Sequence, residues 1–152
     1  MLSIIYTSDA LEPFDVDSLR ELALNAAIKN RELDITGYLF YERGRFFQYI
    51  EGNFEVTRNL LKIINKDKRH KIIKVLEQDG LEKRRFPSWH MQYLSMNSLQ
   101  VVKKESIIIE KMRTMRALDI PSDNVKTQKM VNELWSLVNV ISKNQNLLAS
   151  SL

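Results

Sequence analysis

A carboxamide stands inside an apolar and aromatic run, Arg45-Phe46-Phe47-Gln48-Tyr49-Ile50. Side chains of an extended strand alternate between faces, so Phe46, Gln48 and Ile50 point one way and Phe47 and Tyr49 the other. If the Phe46/Ile50 face is the core face, Gln48 is a buried amide. Left without partners there, an amide costs about 1–3 kcal/mol. Either the protein or a bound ligand must supply those partners. Tyr6, in the N-terminal apolar run, offers a phenol that could meet the amide if the two strands are neighbours. An ordinary buried Tyr–Gln pair would satisfy the same chemistry.

Other residues carry weaker signals. Asn30 stands where a first helix ends; it is either a routine C-terminal cap or an amide that reads a ligand edge. Trp89 and Met91 lie two apart, which on a strand puts them on one face, and core filling is their plain reading. The two histidines, His70 and His90, have no second ligand at metal spacing. There is no cysteine, which excludes disulfides, thiolate catalysis and zinc–cysteine sites. No Ser/His/Asp set, dinucleotide fingerprint or phosphate-cradling loop is present, and the chain has only four glycines. Conventional hydrolytic or metal-dependent catalysis is not expected, and the chain reads as a non-enzyme.

These residues need a scaffold, and the chain spells one out. Ser3 to Ser8 reads as a strand. Asp15 or Asp17 caps a helix running to about Asn30, with Leu19, Leu22, Ala23, Ala26 and Ala27 at helical spacing. Ile35 to Tyr41 is a strand, Glu42-Arg43-Gly44 a tight turn, and Arg45 to Glu51 the hairpin partner. Gly52 breaks that strand and Asn53 caps a second helix whose inner stripe is Val56, Leu60, Ile63 and Ile64. Lys71 to Gln78 is a fourth strand, followed by a turn at Asp79-Gly80 and a short strand at about His90 to Ser95. The order is α+β: a ferredoxin-like βαββαβ sheet with two helices on one face, plus one extra short strand. In that plan the first and third strands are central neighbours, which would bring Tyr6 to Gln48. Beyond Ser95 the texture becomes helical: Val101 to Leu118 and Asn124 to Leu148, separated by Asp119-Ile120-Pro121-Ser122-Asp123. Met130, Leu134, Leu137, Val138 and Ile141 form the stripe of the second. The expected division is residues 1–97 and a two-helix extension, 98–152, which covers a sheet face or serves as a partner or dimer surface.

The 152 residues suit one domain with a small appendage, and 44% hydrophobic with 28% charged content is that of a globular chain. No apolar run approaches the roughly 20 residues that span a bilayer, so no membrane role is expected. The N-terminus lacks a basic region and reads as a strand, not a signal peptide, with the cytoplasm as the expected location. Lys+Arg exceed Asp+Glu by 23 to 19, too weak a bias to imply nucleic acid. Two denser clusters, Lys66-Asp67-Lys68-Arg69-His70-Lys71 and Lys83-Arg84-Arg85, read as solvated loops or as a site for phosphate or an acidic partner.

Five segments taken together resemble the BLUF family of flavin-binding blue-light sensors, over residues from about 2 to 95. They are Ile5-Tyr6-Thr7-Ser8, Asn30 followed by Ile35-Thr36-Gly37, Phe47-Gln48-Tyr49-Ile50-Glu51-Gly52, Asp67-Lys68-Arg69-His70, and Trp89-His90-Met91-Gln92. The C-terminal helices resemble the extension of short, stand-alone members. The resemblance implies a flavin between the two helices, FAD in most members with FMN as the alternative. It makes Tyr6 the photochemical electron and proton donor and puts Gln48 between Tyr6 and the flavin. Asn30 anchors the pyrimidine end, Leu22 and Ile64 flank the ring, and Asp67, Arg69 and His70 serve the ribityl and phosphate end. Trp89 and Met91 occupy the switching strand. It further implies a reversible red-shifted state, read by a protein partner such as a transcriptional or signalling regulator. Lys29 and Ile63 depart from the family: Lys29 stands where relatives often carry another polar ring contact, and Ile63 at a position that can be basic in relatives.

The rival reading is a single-stranded RNA-binding module of the same βαββαβ topology. Arg43 to Tyr49 faintly echoes the aromatic third-strand motif of such modules, but Arg45 and Phe46 fit it poorly and the first-strand aromatics are missing. Direct nucleic-acid binding is therefore not expected.

Overall fold

The computed structural model describes residues 1–95, residue 97 and residues 125–150. The chain divides into two compact units, residues 1–94 and 95–152.

The first unit runs β1 (Leu2–Ala10), α1 (Val16–Glu32), β2 (Thr36–Glu42), β3 (Arg45–Gly52), α2 (Phe54–Ile64), β4 (His70–Gln78) and β5 (Gln92–Leu94). Local chemistry sets the boundaries. Asp15 accepts from Ser18 N at 2.8 Å while Ser18 Oγ accepts from Asp15 N at 3.0 Å, a reciprocal cap that starts α1. Asn53 Oδ1 accepts from Glu55 N and Val56 N and starts α2. Arg43 and Gly44 both have positive φ, 49° and 78°, which gives the β2–β3 hairpin a two-residue turn matched to strand twist. Asn30 is not the C-terminal cap of α1. The helix continues to a cap at Leu33, and Asp34 turns the chain at φ 50°.

The sheet order is β4-β1-β3-β2-β5, with β5 parallel to β2 and the other pairs antiparallel. β1 and β3 are central, and Tyr6 lies directly opposite Gln48. One face carries Ile4, Leu39, Phe46 and Ile50 with Leu19 and Ala23 of α1, and Phe54, Val56 and Leu60 of α2 pack against the same cluster. The stripe expected on α2 needs one correction: Ile63 is 64% exposed. The opposite face carries Tyr38 and Tyr49, stacked at 5.8 Å, with Phe86 packed edge-on against both.

β4 contains a register shift opposite Thr7 and Ser8: Thr7 pairs with Lys74 but Ser8 with Ile72. Ile73 is the extra residue of a bulge, and a bulge reverses the alternation beyond it. Leu76 therefore shares a face with Ile5, whereas His70, six residues earlier, lies opposite Ala10 on the helix-covered face.

In the second unit, α3 (Val125–Lys143) and α4 (Gln145–Ser150) replace the single expected helix to Leu148. The break is at Asn144, whose side chain donates to Val140 O at 2.9 Å. Leu134, Leu137, Val138, Ile141 and Leu148 are buried. The expected helix from Val101 to Leu118, its following loop and the Met130 side chain lie outside the described residues. No described helix is long and apolar enough to cross a membrane.

Candidate functional site

Between α1, α2 and the sheet lies a cleft of about 190 Å³. Its walls are mostly apolar: Leu22 and Ala26 from α1, and Leu60, Ile63 and Ile64 from α2. Its floor carries polar groups among apolar ones: Tyr6 and Ser8 from β1, Gln48 beside Phe46 from β3, Leu39 from β2, and Asn30 from the last turns of α1. Asp67, Arg69 and His70 line it from the segment that enters β4. All eight residues expected to bind the cofactor thus border one cavity, although they come from five elements.

At the floor, the Tyr6 hydroxyl donates to Gln48 Oε1, a short contact, and Gln48 Nε2 donates to Met91 Sδ at 3.3 Å. Gln48 is only 6% exposed, so the buried amide foreseen in β3 exists and the protein supplies two of its partners. Burial raises the Tyr6 phenol above its ordinary range, and the nearby Asp67 charge adds to the effect, so the group holds its proton. Asn30 Nδ2 donates to His90 O at 2.7 Å, which ties α1 to the segment carrying Met91. Asp67 receives Arg69 through Nε and Nη2, the latter at 2.6 Å. That hydrogen bonding holds the Asp67 carboxyl down at about 2. Desolvation lowers His70 below its ordinary value, and its ring stacks 6.4 Å from Tyr6.

Two buried polar atoms in the cleft have no partner, Ser8 Oγ and His70 Nδ1. Buried polar atoms are normally satisfied, so these two are open to a ligand with hydrogen-bonding edges. Mostly apolar walls from two helices, over a floor that offers a phenol, a hydroxyl and two carboxamides, suit a planar heteroaromatic ring, and the cationic Arg69 suits a phosphate. The residues present fit a flavin.

Trp89 and Met91 do not share a face. The chain from Arg84 to Met91 forms no strand, and β5 begins only at Gln92. Met91 joins the core cluster beneath Gln48, while Trp89 stacks on Phe86 at 5.1 Å, on the far side of the sheet. Neither lines the cleft.

Sequence reasoning missed Ser8 and Asn25 as cleft residues and treated Lys29 only as a departure. Strand alternation from Tyr6 pointed to Ser8, and helical spacing between Leu22 and Asn30 pointed to Asn25 and Lys29. It also read Lys83-Arg84-Arg85 as solvated or ligand-binding. Instead Arg84 donates to Asp34 O at 2.6 Å and to Thr36 Oγ1 at 3.0 Å, and Arg85 to Tyr49 Oη at 3.0 Å and Gln78 Oε1 at 2.9 Å. The RNA-binding alternative fails on burial: Phe46, Phe47 and Tyr49 have no free face on which a base could stack. No group of three or more potential metal ligands occurs among the described residues.

The family model of BLUF, sensors of blue-light using FAD, matches residues 1–92. The photoactivated adenylate cyclase subunit beta of Euglena gracilis is 35% identical over 98 residues, 63% of this chain and 11% of that protein. The blue light- and temperature-regulated antirepressor BluF of Escherichia coli K12 is 29% identical over 96 residues, 63% of this chain and 24% of that one. The chain thus spans about a tenth of the length of the cyclase subunits it matches. Among solved structures, BlrB, a BLUF protein in its dark state, superposes with a TM-score of 0.65 at 25% identity, covering 94% of this chain and 96% of that one. A bacterial light-regulated adenylyl cyclase gives 0.65 at 26% identity over 78% of this chain and 36% of that one.

Proposed function

The chain belongs to the BLUF family of blue-light sensors that use flavin, and from that membership we propose that the cleft between α1 and α2 holds the ring and that Tyr6, Gln48 and Met91 form its switch. The observation that carries this reading is the buried chain of hydrogen bonds from the Tyr6 hydroxyl through the Gln48 amide to the Met91 sulfur. When bound, flavin supplies a blue-light chromophore whose excited state is a strong oxidant.

The residues divide the remaining work. Leu22 and Ile64 flank the ring from opposite helices. Asn30 keeps an amide oxygen for the ring edge while one N–H is spent on His90 O. Ser8 Oγ and His70 Nδ1 gain the partners they lack. Asp67 holds the Arg69 guanidinium at the cleft margin, where it would meet the phosphate end of FAD.

Tyr6 would be the electron donor to that excited flavin. Its proton, firmly held at rest, leaves along the hydrogen bond that already runs to Gln48 Oε1. Once the flavin had given electron and proton back to Tyr6, the carboxamide would be left, by rotation, tautomerisation or both, in a second arrangement in which the resting contact from Gln48 Nε2 to Met91 is altered. The product is a rearranged hydrogen-bond network, with all groups in their original redox states.

Met91 carries the change toward β5 and the C-terminal unit as a population shift between two arrangements. Residues 1–97 act as the sensor and 98–152 as the output element. The output is noncovalent: light alters affinity for a protein partner in the cytoplasm, a transcriptional or signalling regulator or a second copy of the chain, and the chain itself catalyses no reaction. The cyclase and antirepressor relatives support a sensor that works through an effector.

Illumination of the purified, flavin-loaded chain tests the reading. Blue light is expected to shift its absorption reversibly to the red, with recovery in darkness. A flavin-loaded protein whose spectrum stays unchanged sinks it.

A further inference from the structure

Glu51 is completely buried, on the sheet face opposite the cleft. Its carboxylate accepts four hydrogen bonds. Oε1 takes Phe86 N at 2.7 Å and Thr36 Oγ1 at 3.1 Å, and Oε2 takes Arg85 N at 2.9 Å and Tyr49 Oη at 2.7 Å. A carboxylate out of water is costly unless its lone pairs are met, and here each oxygen is met twice. Two of the donors are consecutive main-chain amides, so the carboxylate clasps the backbone of the segment that leads to Met91. Arg84 closes the clasp by donating to Glu51 O at 3.2 Å.

From the clasp to Met91 the chain is pinned at each step. Trp89 N donates to Phe86 O at 3.2 Å, and Gly37 N donates to Trp89 O at 2.6 Å. Asn30 Nδ2 holds His90 O at 2.7 Å. Met91 follows, its sulfur on Gln48 Nε2. A sulfur is a weak acceptor, so this last contact depends on placement.

We propose that Glu51 is a positioning residue of the switch: by clasping the Arg85 and Phe86 amides from the far side of the sheet, it sets the Met91 sulfur where the resting Gln48 amide donates to it. The proposal rests on the flavin-switch reading above. When the amide returns after illumination, a held sulfur offers its acceptor at once, and a loosened one does so only part of the time. Weakening the clasp therefore slows dark recovery.

The test is a double-mutant cycle on the full, flavin-loaded chain, with dark recovery after a blue pulse as the readout. Glu51→Gln keeps the side-chain size but sets an NH2 group against one of the two backbone donors. It is expected to retain the red shift and to recover about fivefold more slowly, the equivalent of one lost hydrogen bond. In a Met91→Ala background the same substitution is expected to add nothing, because its effect runs through the sulfur. Recovery at the wild-type rate or faster in Glu51→Gln overturns the proposal, as does an undiminished slowing in the Met91→Ala background. Should Glu51→Gln fail to fold, Tyr49→Phe keeps the packing and removes one donor to the carboxylate. It is expected to slow recovery by a smaller factor that Met91→Ala again abolishes, and an unchanged rate overturns the proposal. A wild-type chain with no red shift overturns the flavin-switch reading instead, which keeps the two failures apart.

Discussion

Gln48 and Met91 are joined across 3.3 Å by an amide-to-sulfur hydrogen bond, while Trp89, only two residues from Met91, faces the other side of the sheet. The amide at the centre of the site therefore has a phenol on its oxygen and a thioether on its nitrogen. Both contacts can be removed singly.

Tyr6→Phe deletes the donor to Gln48 Oε1, and Gln48→Leu deletes its acceptor. Each leaves one buried polar group unpaired, a loss of about 1–3 kcal/mol. Both variants are expected to retain flavin and to lose the reversible red shift. A normal photocycle in either removes that residue from the switch.

Gly37 is required by its neighbours. A Cβ there would lie 2.0 Å from the Tyr49 carbonyl oxygen, a backbone atom that cannot step aside. Gly37 also donates to Trp89 O, so displacement would disturb both β3 and the approach to β5. Gly37→Ala is expected to cost about 3 kcal/mol or more in denaturant unfolding, in the range of severe core disruption. Wild-type stability would show that the strands separate freely.

Asn53→Ala removes the side-chain acceptor for two amides at the start of α2. The expected loss is about 1 kcal/mol. Because α2 forms one wall of the cleft, flavin retention on dilution should weaken with it. Equal retention would mean that the wall is held by packing alone.

Acid should act in two windows. His70 is depressed from 6.5 by burial, so the unfolded chain binds its proton first. Its share of stability is complete above that value and falls as pH drops toward the folded-state value. Asp67, held at about 2 by Arg69 against an ordinary 3.8, contributes fully above 3.8 and is lost as pH falls toward 2. Unfolding midpoints measured against pH should show both declines. Asp67→Asn should erase the lower one, and an unaltered profile would deny Asp67 its part.

Truncation after Asn97 leaves the segment that the family model matches, residues 1–92, intact. The colour change should persist, while light-dependent capture of a protein partner should disappear. Undiminished light-dependent capture by the truncated chain would place the output surface within the sensor.

How much of the site was legible in the sequence depended on whether periodicity held. On β3 it did: alternation from Phe46 to Ile50 put Gln48 on the core face, and the βαββαβ order made β1 its neighbour. From Trp89 to Met91 it did not, because the strand expected from about His90 starts only at Gln92, so alternation does not relate the two side chains. Glu51 was visible only as part of a motif, since nothing local shows that a carboxylate is buried with four donors.

Local chemistry along the chain is enough for β1 to β4, α1 and α2, the caps at Asp15 and Asn53 and the hairpin turn, because each follows from contacts between near neighbours or from the period of a regular element, while the pairing of Tyr6 with Gln48 was expected from the βαββαβ order. Tertiary structure alone decided three things. The bulge at Ile73 turned His70 toward the helices, the loop after Phe86 sent Met91 beneath the amide, and Glu51 gathered donors from β2, β3 and the Arg85–Phe86 segment. Each depends on chains far apart in sequence meeting in space, where burial and the need to satisfy polar atoms select the arrangement.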